Sequence, residues 1–271
     1  MRLLLISFLP VIFFLSLPDI KAQCFSANNT FGDGENVTYE VMYNWGPIWV
    51  NAGLVTFSAK KEILSGKETF HLKSTGKTYA SYDFLFKVRD YYDSWIDPAT
   101  FRSLSFQRMI YEGGYTLVNT IRFDQANQIA YSSTKSNNNP VRKDTLPSGP
   151  CAFDMLSAVY YTRTLDLRHL SPDLRIPVTV IVDDSLYHIY IRYIGKETLA
   201  DQNGQKYRCI KFSAKMIEGT IFRGDEDVLV WVTDDENKIP VYIEAKILVG
   251  TVRAYLKEMT GVRNPVTSLV K

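Results

Sequence analysis

The sequence contains little of what metal centres, disulfide scaffolds and nucleic-acid-binding proteins are built from. Only three cysteines and three histidines occur among 271 residues, and they are scattered, with no C-x-x-C pair. Three cysteines form at most one disulfide, which excludes a disulfide framework, and the scattered histidines predict neither a metal site nor a bound cofactor. Basic and acidic residues nearly balance, at 31 and 29, so we expect no nucleic-acid partner.

Long apolar runs are also missing, except at the start of the chain. There Arg2 precedes an apolar run and a short polar stretch, which together predict a secretory signal peptide over residues 1–22. Pro10 interrupts the run, which is too short to span a bilayer well, so a retained membrane anchor is the lesser alternative. Cys24 does not directly follow the expected cleavage point, as a lipidated cysteine would. We therefore expect a soluble exported protein without a transmembrane anchor after cleavage.

Alternation of apolar and polar residues at period two dominates the rest of the chain and predicts antiparallel strands. In the first strand Val37, Tyr39, Val41 and Tyr43 share one face. Gly, Asp and Asn clusters mark hairpin turns, among them 113–114, 183–184, 203–204 and 234–237. Residues 80–88, ASYDFLFKV, fit either a short helix or an irregular segment.

The predicted fold class is mainly β, a strongly curved antiparallel sheet, half-barrel or barrel-like, with one principal helix packed between or against its halves. We expect residues 23–271 to form one curved β domain. It has two lobes, about 31–134 and 171–260, joined by a polar loop at 135–150 and a helix at 153–166.

The helix is predicted to pack against the sheet. Asp154 or Ser148 can cap its N-terminus. One face carries four side chains at helical spacing: Leu156, Val159, Tyr160 and Arg163. Because a cation ends this apolar face, Arg163 must meet a carboxylate, a group of carbonyls or a ligand.

A cysteine directly before this helix raises the alternative of an active site. Cys151 would be the nucleophile and His169 its base. A straight helix would separate them by roughly 27 Å, at about 1.5 Å per residue. A structural cysteine is therefore favoured, and paired carboxylates such as Asp183 and Asp184 are better explained as turn residues. We assign no catalytic residue.

Aromatic residues are abundant, above all in the first third of the chain. Ordinary core packing and cross-strand pairing account for many of them. The functional interpretation is an apolar groove inside the curved sheet that holds an acyl chain or stacks on a sugar. The candidate ligand-binding residues are Tyr39, Tyr43, Trp45, Tyr92, Trp95, Tyr160, Arg163 and Trp231.

Three motifs resemble an uncharacterised exported bacterial family, domain of unknown function 3108. They are Gly34-Glu35-x-x-x-Tyr39, the helix from Asp154 to Arg163, and a late hairpin containing Trp231, Asp235, Pro240 and Val241. The resemblance implies a curved antiparallel sheet in the periplasm or cell envelope of a Gram-negative bacterium. It implies no activity and no catalytic residues. The expected form is similar to that of periplasmic lipoprotein carriers.

These features favour a non-catalytic envelope protein that binds a lipid-like or glycan ligand. A carrier predicts an aromatic-lined apolar cavity between the sheet and the helix. An envelope scaffold or adhesin with a protein partner is the alternative, and it predicts no cavity but a large exposed apolar patch. A cysteine- or carboxylate-dependent hydrolase is the least favoured hypothesis and requires a cleft where such groups converge.

Overall fold

A computed structural model describes residues 28–45, 48–166, 170–215, 228–247 and 250–270. The predicted signal peptide at 1–22, His169 and the side chain of Trp45 lie outside the described part. The strands are β1 (Glu35–Trp45), β2 (Ile48–Leu64), β3 (Lys67–Thr78), β4 (Arg89–Ile96), β5 (Ser103–Glu112), β6 (Tyr115–Asp124), β7 (Ile129–Ser136), β8 (Arg142–Pro147), β9 (Ala152–Asp154), β10 (Arg175–Val182), β11 (Ser185–Ala200), β12 (Lys206–Ala214), β13 (Val228–Thr233), β14 (Pro240–Lys246) and β15 (Thr251–Thr260). A single 3₁₀ turn spans Ala80–Tyr82, and the helix α1 spans Met155–Thr164.

All the described strands belong to one sheet. Its order follows the chain from β8 back to β1, continues through β15, and runs back to β9. Every pair is antiparallel except β9 with β10. The two lobes therefore share a single sheet, joined where β1 pairs with β15.

The connection between the two edge strands explains the curvature. β8 and β9 are the sheet edges, yet only residues 148–151 separate them in the chain. A flat sheet of this size would hold its edges about 65 Å apart, whereas such a link spans at most about 20 Å. The sheet must therefore curl until its edges approach, although it does not close. The predicted fold class, a strongly curved, barrel-like sheet with one helix, is confirmed.

The helix packs inside this curl, against β3, β4, β9 and β10. Asp154 caps it by accepting hydrogen bonds from the backbone N–H groups of Leu156 and Ser157. Val159 is 44% exposed, in contrast to the predicted face, because the helix contacts strands on more than one side and buries Tyr161 instead. Within the described residues, no helix is both long and apolar enough to cross a membrane.

Phe31 fills the space beside the helix. Its ring is fully buried and packs edge-on against Tyr160 at 4.8 Å, Phe70 at 5.3 Å and Phe101 at 5.9 Å between ring centroids. The region between sheet and helix is thus a packed core. Among the described residues around Phe31, aromatic rings occupy the place where a cavity was expected.

The predicted loop at 135–150 contains a strand. Residues 142–147 form β8, which pairs with β7 from Ile129 opposite Pro147 to Thr134 opposite Arg142. An edge strand pairs on one side only, so it tolerates proline and polar residues that resemble loop composition. The undecided segment 80–88 combines the 3₁₀ turn with an irregular stretch.

Candidate ligand-binding cavity

A half-open cavity of about 630 Å³ lies at one end of the sheet. Its wall comes from the β1–β2 hairpin, the end of β3, the segment that leads into β4, and residues next to the β14–β15 turn. None of the described lining residues belongs to α1. The cavity therefore lies at a different place from the one expected from the sequence.

The β1–β2 hairpin forms one wall. Val41 and Tyr43 face the cavity from β1, and Val50 and Val55 face it from β2. Alternation puts Val41 and Tyr43 on the same face. Val50 and Val55 are an odd number of positions apart, and they share this face because a β-bulge interrupts the pairing between them, where Val41 pairs with Gly53 and Met42 with Asn51. Gly53 leaves no room for a side chain, because a Cβ atom there would sit 2.1 Å from the carbonyl oxygen of Lys77 in β3.

A glycine leaves space in the floor of the cavity. Gly76 pairs with Val55 on one side and Asp90 on the other. A Cβ atom added to Gly76 would meet the side chains of these two residues at 3.8 Å, which is ordinary contact. The missing side chain is therefore part of the cavity volume.

The opposite wall is the segment between β3 and β4, which contributes Tyr82, Leu85 and Phe86. Asp83 anchors this segment. Its carboxylate accepts hydrogen bonds from Arg89 Nη2 at 2.6 Å and from Thr78 Oγ1 at 2.8 Å. The Arg89 hydrogen bond lowers the pKa of Asp83.

Three consecutive large apolar residues stand out from this segment at the mouth of the cavity. We call Phe84, Leu85 and Phe86 the apolar rim. Phe84 is 81% exposed, and Leu85 and Phe86 are each more than half exposed. Gly113 leaves room for the ring of Phe86, since a Cβ atom there would lie 2.3 Å from it.

Asp90 carries the single carboxyl group among the described lining residues. It is 8% exposed and accepts a hydrogen bond from the backbone N–H of Tyr111 at 3.3 Å. Burial, together with the nearby negative charge of Glu112, raises its pKa to about 7. Near neutral pH this group is therefore present both as carboxylate and as an acid that can donate a hydrogen bond.

The sequence-predicted ligand residues are spread over the molecule. Tyr43 lines the cavity. Tyr39 is buried in a second hydrophobic core, which it forms mainly with residues of the C-terminal strands. Tyr160 and the half-buried Tyr92 belong to the core around α1. The side chain of Trp45 lies outside the described residues.

The two remaining aromatics are held by polar partners. Trp95 stacks on His71, with ring centroids 4.6 Å apart, and donates its indole N–H to Glu62. Trp231 donates its indole N–H to Glu197, and it packs against Tyr242 at 4.9 Å between ring centroids. The structure brings neither of them to the cavity.

Arg163 meets both a carboxylate and a carbonyl, as its place in the helix predicts. It donates to Glu35 through two hydrogen bonds, Nη1 to Oε1 at 2.6 Å and Nη2 to Oε2 at 2.9 Å. It also donates from Nη2 to the carbonyl of Asn237 at 3.0 Å. Glu35, Arg163 and Asn237 come from the first strand, the helix and the late hairpin, the three regions that carry the family motifs. They therefore meet in one buried hydrogen-bonded cluster.

The described groups of the hydrolase hypothesis do not converge, and the predicted base His169 lies outside the described residues. Cys151 is disulfide-bonded, and Cys209 is a free, buried thiol whose pKa burial raises to about 12. Asp183 and Asp184 form the β10–β11 turn and pair separately with Arg108 and Arg142. No three metal-binding side chains come together in the described ranges.

Sequence reasoning missed most of the cavity wall. The apolar residues FLF in the undecided segment and the glycine in the middle of β3 were the available signals. Neither was specific, because the wall is assembled from residues of distant strands.

Comparison with known proteins supplies a family and a fold. The family described as "Protein of unknown function (DUF3108)" matches residues 38–257. A solved structure, "Crystal Structure of Beta-barrel-like Protein of Domain of Unknown Function DUF1849 from Brucella abortus", is similar with a TM-score of 0.56 and 8% sequence identity, covering 85% of this chain and 98% of that chain. At this identity the likeness shows the fold alone. No curated protein matches the sequence.

Proposed function

Because the chain belongs to the DUF3108 family, whose description names no activity, we propose from the geometry that it binds an apolar, lipid-like ligand. We place this activity in the cell envelope. The single observation that carries the proposal is the half-open apolar cavity of about 630 Å³. Cavities of about 300–1,000 Å³ with mostly apolar walls and few polar groups are typical of small-molecule sites.

The chemistry of the wall favours an acyl chain over a glycan. Val41, Val50, Val55 and Leu85 offer no hydrogen bonds. A sugar would bury hydroxyl groups against them without partners, which costs free energy. A hydrocarbon chain loses nothing there and gains from leaving water.

Asp90 supports a ligand with one polar end. A buried carboxyl with a pKa of about 7 can accept from, or donate to, a hydroxyl or amine head group. Its position in the wall would orient such an amphiphile, since most of the remaining lining is apolar.

Two further features support an exported protein. The sequence of residues 1–22 has the pattern of a signal peptide, and Cys151 is disulfide-bonded. Disulfides persist mainly in oxidising compartments such as the periplasm.

The ligand proposal is tested by filling the cavity. We expect Gly76→Leu to lower the affinity of delipidated protein for a neutral naphthylamine dye by about tenfold or more, because the new side chain occupies the site. The measurement is a fluorescence titration, accompanied by native mass spectrometry of wild-type protein purified from its own periplasm, where a co-purifying lipid is expected.

The matched control is Gly195→Leu. It makes the same change in β11, where an added Cβ atom meets nothing within 4 Å, and it should keep wild-type affinity. If Gly76→Leu does not fold, Val50→Phe serves as a second filling variant, because it adds volume from the wall formed by the β1–β2 hairpin. Equal dye affinity in folded filling variants and wild type would overturn the proposal.

The alternative is an envelope scaffold without a small-molecule ligand, and the exposed apolar rim favours it. A scaffold of this kind should carry no co-purifying lipid, and the filling variants should not change its dye binding. The same measurements therefore separate the two functions.

A further inference from the structure

We propose that the apolar rim inserts into the surface of an anionic lipid bilayer and points the cavity mouth at the membrane. The inference rests on the proposed function for its choice of a lipid partner. It adds an interaction surface that the cavity alone does not imply.

The first observation is the exposure of the rim. Phe84 is 81% exposed, although consecutive large apolar side chains in water are unfavourable and mark interaction sites. Ile48, two residues from the lining residue Val50, is 64% exposed at the tip of the β1–β2 hairpin. A further exposed apolar side chain thus lies close in sequence to the cavity lining.

The second observation is that the rim is held in this exposed position. Asp83, directly before it, is tied to Arg89 and Thr78, and the backbone N–H of Gly113 donates to the carbonyl of Lys87 at 2.9 Å, directly after it. The rim is therefore anchored at both ends, so the exposure is built into the fold.

Charge complementarity selects the partner. Lys77 and Lys87 are exposed beside the rim, while the nearby carboxylate of Asp83 is neutralised by Arg89. Glu112, which pairs with Val88 directly after Lys87, offsets one of the two lysines, so two cations and one further carboxylate leave a local net charge of +1. Cations near the surface of an anionic membrane each add attraction to its head groups.

Two tyrosines lie at the β5–β6 turn, whose Gly113 contacts the rim. Lys87 lies over the ring of Tyr111, 5.7 Å from its centroid, and Tyr111 and Tyr115 are both partly exposed at the β5–β6 turn. Tyrosine favours the membrane–water interface, where its ring is apolar and its hydroxyl is hydrated. Exposed phenylalanine, tyrosine and lysine side chains close together are the combination that this interface favours.

Continuity with the cavity completes the argument. Leu85 and Phe86 both line the cavity and face solvent. A lipid that leaves the bilayer at this point would pass from acyl chains to the rim and into the cavity without crossing water.

The size of the rim favours a bilayer over a protein partner. A protein interface of standard size would need about 800 Å² on each partner, whereas the rim consists of three residues.

The test is flotation of the protein with vesicles of phosphatidylglycerol and phosphatidylcholine in equal parts. We expect wild type to float with them, to float less at raised salt, and to bind pure phosphatidylcholine weakly. Phe84→Ser should lower partitioning about tenfold, because one phenylalanine no longer inserts. Ile63→Ser, which changes a side chain that is 68% exposed at the far end of β2, is the control and should float as wild type does.

Phe84 does not line the cavity, so Phe84→Ser should keep wild-type dye affinity, and Gly76→Leu should keep vesicle binding. Dye titration therefore tests the cavity proposal and vesicle flotation tests the docking proposal, so that failure of one is distinguished from failure of the other. Absence of wild-type flotation on anionic vesicles overturns the docking proposal, including the case in which the rim binds a protein instead. Equal flotation of Phe84→Ser and wild type overturns it as well.

Discussion

Two buried charged residues, Glu35 and Arg163, tie the first strand to the helix. Their side chains are 0% and 6% exposed. Such a pair adds little net stability by itself, because both charges lose water, but removing one partner leaves the other unpaired. The position of Glu35 next to a glycine turn and of Arg163 at the helix end therefore has a structural reason that requires no ligand.

We expect Arg163→Met to lower the free energy of unfolding by about 3–5 kcal/mol, since Glu35 remains buried without a cation. Urea denaturation measures the change. The double variant Glu35→Leu/Arg163→Met should recover part of the loss because no isolated charge remains. A double variant no more stable than Arg163→Met would contradict this account.

Asp90 predicts a dependence of stability on pH. Its pKa is raised from 3.8 to about 7 by burial and by Glu112, and Arg108 opposes this shift. The folded state thus holds the proton more tightly than the unfolded state, so this group's contribution to stability is greatest below about pH 4 and is lost as pH rises through about 7.

Asp90→Asn should remove this dependence while keeping an acceptor for the Tyr111 N–H. Between about pH 5 and about pH 8, wild type should lose more stability than the variant, by an amount on the order of 2 kcal/mol. Thermal unfolding over this range measures the difference. Parallel stability profiles for both proteins would argue against a raised pKa at Asp90.

At the scale of elements, the segment between β3 and β4 forms a wall of the cavity and is held at its start by an ion pair. Asp83 joins Thr78 and Arg89 across it. The ion pair is partly exposed, so its contribution to global stability is small. We therefore expect the pair to act mainly on the local order of the segment, whose two ends it joins.

We expect Asp83→Ala to increase amide hydrogen exchange in residues 79–88, because the segment loses its anchor. The free energy of global unfolding should change by less than about 1 kcal/mol. Hydrogen-exchange mass spectrometry and urea denaturation measure the two effects. Unchanged exchange in the segment, or a large global loss, would show that other contacts order it.

Some turns and the helix cap could be predicted from the local sequence, whereas one strand and the buried face of the helix could not. The turns at Gly113-Gly114 and Asp183-Asp184 and the Asp154 cap were predicted because local chemistry determines them. β8 was missed, since an edge strand needs no apolar alternation. The exposed Val159 was misassigned because the rotation of a helix depends on which strands surround it.

At the scale of the whole molecule, the rolled sheet decides what is core and what is cavity. Phe31, α1 and the surrounding strands fill one part of the interior. At the end where β1, β2 and the segment before β4 meet, valines and Gly76 leave a gap. The β10–β11 turn supports the roll because Asp183 and Asp184 pair with arginines of β5 and β8.

The sequence by itself determined the β class, most turns, the helix and the need of Arg163 for a partner, because period-two alternation, turn residues and an isolated cation act over a few residues. Only the tertiary structure decided that the cavity lies away from the helix and that Tyr43, but not Tyr92 or Trp95, lines it. A cavity is the volume left unfilled by side chains of distant strands. That volume depends on how the sheet curls, and no single stretch of sequence encodes it.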